Sequence, residues 1–138
     1  TNLPEKCILT PHPKEFERLF GKFNDSYSRL QFQKEFSKNK NCVIVLKGAH
    51  TSITSPDGSV WFNTTGNPGM ATGGSGDVLT GIILGLLSQG YGPFEASLLG
   101  VYIHGLAGDI AIRNSSVNSL SASQLIDYIG SAFGSFEE

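Results

Sequence analysis

Apolar and polar positions change their rhythm part-way along this chain, from short strand-like runs to long helical periods. Residues 6–9 read as a short buried strand that runs into Thr10-Pro11-His12-Pro13. Pro13 suits the first turn of a helix, Phe16, Leu19 and Phe20 supply its apolar face, and Gly21 stops it. Asn24-Asp25-Ser26 offers caps for a second, more charged helix over 27–39. Cys42-Val43-Ile44-Val45-Leu46 is continuously apolar, the pattern of a strand covered on both faces, and it ends in Lys47-Gly48. Residues 51–54 and 59–63 flank Pro56-Asp57-Gly58, a hairpin signal. Beyond position 76 the periodicity is helical throughout, over 77–89, 94–113 and 122–134, and Ser121 with Gln124 forms a capping box for the last. Strands followed by a helical cluster packed on them imply an α/β layer. The strands are too few for a complete doubly wound sheet.

The transition between the two rhythms carries the chemistry. Asn67-Pro68-Gly69-Met70-Ala71-Thr72-Gly73-Gly74-Ser75-Gly76-Asp77 leads straight into Val78, Leu79, Ile82, Ile83, Leu86 and Leu87, which recur at helical spacing. A glycine run lets backbone approach a ligand closely. Delivered to a helix start, its N–H groups face anions at the positive end of the dipole. A flexible turn is the plain alternative, but the helix start and the acid at the junction favour an anion cradle. No Lys-Ser/Thr follows the last glycine, so this is not a Walker A loop. Asp77 reads as an N-cap residue, worth about 1 kcal/mol, and equally as an oriented proton acceptor.

Composition narrows the setting. A chain of 138 residues is one domain's worth of sequence. A formal net charge of -2 offers no basic patch for nucleic acid. Its longest apolar run, 82–87, contains Gly85 and falls far short of a membrane span. Cys7 and Cys42 lie in apolar runs and read as buried free thiols, which favours a cytoplasmic location. Three histidines and scattered acids show no metal-ligand spacing, so a structural zinc is not expected.

Several other residues admit a plain and a functional reading. Lys47 is either a solvated lysine or a ligand contact where a strand ends, the edge that binds ligands in open α/β sheets. His12, between two prolines, is an N-cap or a ligand contact, and Glu15 is a capping acid or holds a metal through water. His50 and His104 read as structural histidines, and Asp109 as a residue that caps or pairs locally. Gly81, Gly85, Gly100, Gly105 and Gly108 suggest helices packed closely together.

Four segments together resemble the ADP/ATP-dependent NAD(P)H-hydrate dehydratase family: Thr10-Pro11-His12-Pro13-Lys14-Glu15-Phe16, Leu46-Lys47-Gly48-Ala49-His50-Thr51, the glycine run through Leu79, and His104-Gly105-Leu106-Ala107-Gly108-Asp109. The resemblance covers nearly the whole chain. It implies a ribokinase-like three-layer α/β sandwich, with residues 1–138 forming a single partial domain that lacks the N-terminal half. It also implies repair of hydrated NADH or NADPH by phosphorylation of the ring hydroxyl and elimination of phosphate.

By this resemblance Asp77 is the catalytic base, and the N–H groups of Gly74, Ser75 and Gly76 hold the transferring phosphoryl group. Lys47, Gly48, Ala49, His50, Thr51, Asn67, Gly73 and Gly76 bind ADP or ATP, and His12 with Asp77 contacts the hydrated dinucleotide. Glu15 positions Mg2+ through water, by analogy with the Thr-Pro-Asn-x-x-Glu run of sugar and vitamin kinases. A homo-oligomer and a fused or separate NAD(P)H-hydrate epimerase follow as expected partners, and the isolated chain is expected to turn over poorly. The competing functions are a ribokinase-type kinase of a sugar, thiazole or pyrimidine alcohol, and a non-catalytic nucleotide-binding fragment.

Overall fold

The computed structural model describes residues 3–115 and 120–136. These divide into two compact units, one of residues 3–63 with 92–98, the other of 64–91 with 99–115 and 120–136.

The first unit is built on a four-stranded sheet in the order β1-β2-β3-β4. β1 (Ile8–Leu9) pairs parallel with β2 (Val43–Leu46). β3 (Ser52–Thr54) and β4 (Val60–Phe62) continue antiparallel, with Ile53 opposite Val45 and Trp61. β2 is buried at every position, as its unbroken apolar run predicts. β1 is shorter than the expected 6–9, because Lys6 takes a left-handed backbone (φ 61°) that ends the ladder.

Helix α1 (Pro13–Phe20) starts at the predicted proline and stops at Gly21, whose φ of 86° suits glycine. Helix α2 (Ser26–Lys40) is capped by Asp25, whose carboxylate accepts from the Ser28 N–H at 2.7 Å. That bond holds the Asp25 carboxyl below its usual range. Phe16, Phe20, Phe23, Phe32 and Phe36 interlock over Cys42, Ile44 and Leu46. A second stripe of α2 is polar yet fully buried. Gln33 Nε2 donates to the carbonyls of Ile44 (3.4 Å) and Ser52 (3.3 Å), while Gln33 Oε1 accepts from the Ser52 hydroxyl (3.1 Å). Ser37 and Thr54 share a 2.7 Å hydroxyl pair. Buried groups this well satisfied add specificity without an unpaired-donor penalty.

Cys7 and Cys42 are free thiols, as expected; Cys42 is wholly buried, whereas Cys7, expected to be buried too, is only half-buried. Burial pushes the Cys42 thiol up from 9.0 to about 11. A raised folded-state value means that stability is complete below pH 9.0 and is lost as pH climbs toward about 11. Urea midpoints measured across that window should fall in the natural protein and fall less steeply in Cys42→Val.

The second unit comprises α3 (Ser75–Ser88), the larger part of α4 (Pro93–Arg113), α5 (Ala122–Gly134) and the loop that leads into α3. Val78, Ala111, Leu120 and Leu125 form one buried cluster, and Ile103, Ala107 and Ala132 another. The Ser121–Gln124 capping box is present as predicted. A short 3-10 turn, Pro68–Met70, lies inside the loop, where the glycine pattern gives no sign of it.

Candidate functional site

Helix α3 begins at Ser75, two residues before the predicted start, and its cap is Gly74 rather than Asp77. The physical reason is the left-handed backbone at 74 (φ 85°, ψ -10°), which glycine takes without a Cβ clash. Asp77 is thereby the third helical residue, with its side chain exposed on the first turn.

The first intrahelical bond runs from the Val78 N–H to the Gly74 carbonyl at 3.1 Å. The Ser75 N–H reaches the Thr72 carbonyl at a long 3.3 Å. Among the described residues no backbone bond takes the N–H groups of Gly74, Gly76 or Asp77. These donors lie at the positive end of a 14-residue helix. A cleft of about 600 Å³ opens beside them between α3 and α5, with Gly74 and Asp77 at its rim and Leu86, Ile126 and Phe133 among its walls. Most of the lining is apolar, and Asp77 and Gln89 are its polar side chains.

The loop is fixed from α4. Asp109 Oδ2 accepts from the Gly66 N–H at 3.0 Å, and its Oδ1 accepts from Asn67 Nδ2 at 2.9 Å. Asp109 therefore does not pair locally as expected; its partners lie 42 and 43 positions away. The Thr65 hydroxyl donates to the Tyr102 carbonyl at 2.9 Å. His104 Nε2 lies 3.2 Å from the Ser75 hydroxyl, a contact between α4 and the first turn of α3. Gly105 and Gly108 admit close packing, but it is the loop that packs there. A Cβ at 105 would lie 2.7 Å from the Thr65 carbonyl carbon, and one at 108 would lie 2.7 Å from Met70 Cγ. Gly100 behaves as expected and meets Ile83 of α3.

In the first unit, β1 and β2 end side by side, and the Lys47 N–H donates to the Pro11 carbonyl at 2.9 Å. His12 and Glu15 form a capping box: the Glu15 N–H donates to His12 Nδ1 and the His12 N–H to Glu15 Oε1, each at 3.1 Å. The His12 N–H holds the Glu15 carboxyl below its usual range, with His12, Lys47 and Arg18 adding positive charge nearby. His12, Glu15 and Lys47 are thus neighbours, each half-buried or exposed. Gly48 and Thr51 close a small turn on each other, and Ala49 and His50 are exposed at its tip. Among the described residues no three His, Cys, Asp or Glu side chains could hold a metal ion directly, and no helix is long and apolar enough to cross a membrane.

Signals for the loop anchors are thin in the sequence. Asp109 carries no local mark of a partner 43 positions earlier. The i, i+3 spacing of Gly105 and Gly108 marks a bare helix face without saying what lies on it.

The family model described as NAD(P)H-hydrate dehydratase matches residues 2–131. The ADP-dependent (S)-NAD(P)H-hydrate dehydratase of Bacillus subtilis is 42% identical over 132 residues, 94% of this chain and 48% of that protein. A bifunctional NAD(P)H-hydrate repair enzyme of Moorella thermoacetica is 47% identical over 95% of this chain and 25% of its own length. The crystal structure of the Bacillus subtilis ADP/ATP-dependent NAD(P)H-hydrate dehydratase, co-crystallized with ATP/Mg2+, superposes with a TM-score of 0.88 at 40% identity. That match covers 99% of this chain and 51% of the other, so the chain spans about half the length of these relatives or less. A ribokinase-like protein of Enterococcus faecalis superposes with a TM-score of 0.80 at 34% identity over 96% of this chain. The expected ribokinase-like fold is borne out.

Proposed function

Because this chain belongs to the NAD(P)H-hydrate dehydratase family, we propose that the protein carrying it restores NADH and NADPH from their hydrated forms with ADP or ATP as phosphoryl donor. The observation that chiefly supports this is the start of α3, where N–H groups without backbone partners meet an exposed carboxylate on the same turn. The N–H groups of Gly74 and Gly76, with Ser75 between them, would hold the transferring phosphoryl oxygens. Asp77 would take the proton as the substrate hydroxyl attacks the terminal phosphorus. Phosphoryl transfer is mainly a matter of position and charge neutralisation, which fixed donors supply. Phosphate then departs with the C–O bonding pair while the ring nitrogen donates its lone pair. Loss of a proton from the adjacent carbon restores the ring double bond.

We assign Lys47 through Thr51, Asn67 and Gly73 to the nucleotide, and His12 to the dinucleotide, on the strength of the resemblance. The residues fit Mg2+ carried by nucleotide phosphates and water rather than by a protein cage. Glu15 is half-exposed with one oxygen committed to the cap, which suits contact through water. When bound, the ion would neutralise charge on the phosphates. We read residues 1–138 as part of one ribokinase-like domain, in a homo-oligomeric cytoplasmic protein. The bifunctional name of the Moorella thermoacetica relative supports an accompanying second activity, an epimerase by the resemblance.

The test is incubation of the natural protein with hydrated NADH, Mg2+ and either ADP or ATP, following NADH absorbance and orthophosphate. Equal yields of the two products are expected. A stable phosphorylated alcohol would establish a small-molecule kinase instead, and nucleotide binding without turnover would establish a binding module.

A further inference from the structure

We propose that Asp109 is a positioning residue, whose carboxylate on α4 fixes Gly66 and Asn67 and so sets the loop that presents the α3 donors. This rests on the reading of that loop as the phosphoryl cradle.

The carboxylate is used bidentately, one oxygen for the Gly66 N–H and the other for the Asn67 amide. Gly66 has a φ of 107°, which glycine reaches without strain and a residue with a Cβ rarely adopts, and its N–H is taken by the Asp109 carboxylate. Asn67 is committed too. Its Nδ2 faces Asp109, and its Oδ1 is buried with no partner among the described residues, so Asp109 alone orients this amide. The reverse amide orientation would aim oxygen at carboxylate, which settles the assignment. Misplacing reacting groups by about 1 Å costs on the order of 10²-fold in rate, so a carboxylate that never touches substrate can still govern turnover.

The test is a swap of chemical groups in the natural full-length protein. Asp109→Ala withdraws both acceptors at once, from the Gly66 N–H and from the Asn67 amide. Asn67→Asp sets two carboxylates face to face at a spacing of about 2.9 Å. The double variant N67D/D109N restores complementarity, because the amide now at position 109 accepts from the Gly66 N–H and donates to the carboxylate now at position 67. Each single change should speed amide hydrogen exchange across residues 64–74 about tenfold or more and lower kcat roughly 10–100-fold, with KM for hydrated NADH changed less than about threefold. The double variant should return exchange and kcat most of the way.

Unchanged exchange in the single variants would overturn the proposal. So would a double variant no better than the worse single one, or a loss carried entirely by KM. Should the natural protein fail to act on hydrated NADH, the functional reading falls, while the exchange pattern still decides the anchoring role of Asp109.

Discussion

Asp77→Asn should lower the rate of NADH recovery by about 10²–10⁴-fold, while the affinity for ADP stays within a few-fold of the natural protein's. The size follows from what the substitution removes. The amide keeps the shape and one acceptor but cannot take a proton, so the hydroxyl must attack phosphorus with its proton in place. The N–H donors at the helix start belong to the backbone and are untouched. Folding should be nearly indifferent, because Gly74 closes the helix start and Asp77 makes no capping bond. The exposed acid contributes only the charge–dipole attraction of a first turn, about 0.3–1 kcal/mol. Stopped-flow NADH absorbance with calorimetric ADP titration checks both halves. A loss under about tenfold would remove Asp77 as the base.

Gly105→Ala should cost about 1–3 kcal/mol in urea unfolding, against the usual preference of a helix for alanine. The new methyl would sit 2.7 Å from the Thr65 carbonyl carbon and 2.8 Å from Thr65 Cβ. Retreat is restricted, since the Thr65 hydroxyl is bonded to Tyr102 one turn earlier on α4 and the next peptide is held by Asp109. Either the loop lifts from the helix or the helix bends. Gly130→Ala in α5 is the control: its methyl meets nothing within 4 Å, so it should gain up to about 1 kcal/mol. Similar effects from the two alanines would show that the bare face of α4 does not carry the loop.

Most elements are legible in the sequence because their signals are local. Pro13 and Gly21 bracket α1, Ser121 and Gln124 announce α5, and the run 42–46 has the pattern only of a covered strand. The two-residue shift at the start of α3 has a simple origin: an acid beside an apolar run looks like a cap, whereas glycine at positive φ leaves no periodic trace. Gln33 and Ser37 sit in a helix whose charged composition suggests a solvated face, yet both are fully buried. Their partners, Ser52 and Thr54, lie 19 and 17 positions on. The same separation along the chain hides the role of Asp109. For the site, the glycine run and Asp77 stand out by density and position, while the residues that hold them in place do not.

The buried amide of Gln33 has a bearing on how the sheet is assembled. It grips carbonyls on two neighbouring strands at once, Ile44 on β2 and Ser52 on β3, and Ser37 reads a third point at Thr54. Slippage of β3 by one residue would turn Ile53 outward and strand both polar contacts without partners. The turn at 55–59 holds β3 against β4 by its own bonds, whereas the alignment of β3 against β2 is also read from above, and docking of α2 favours a single strand registry.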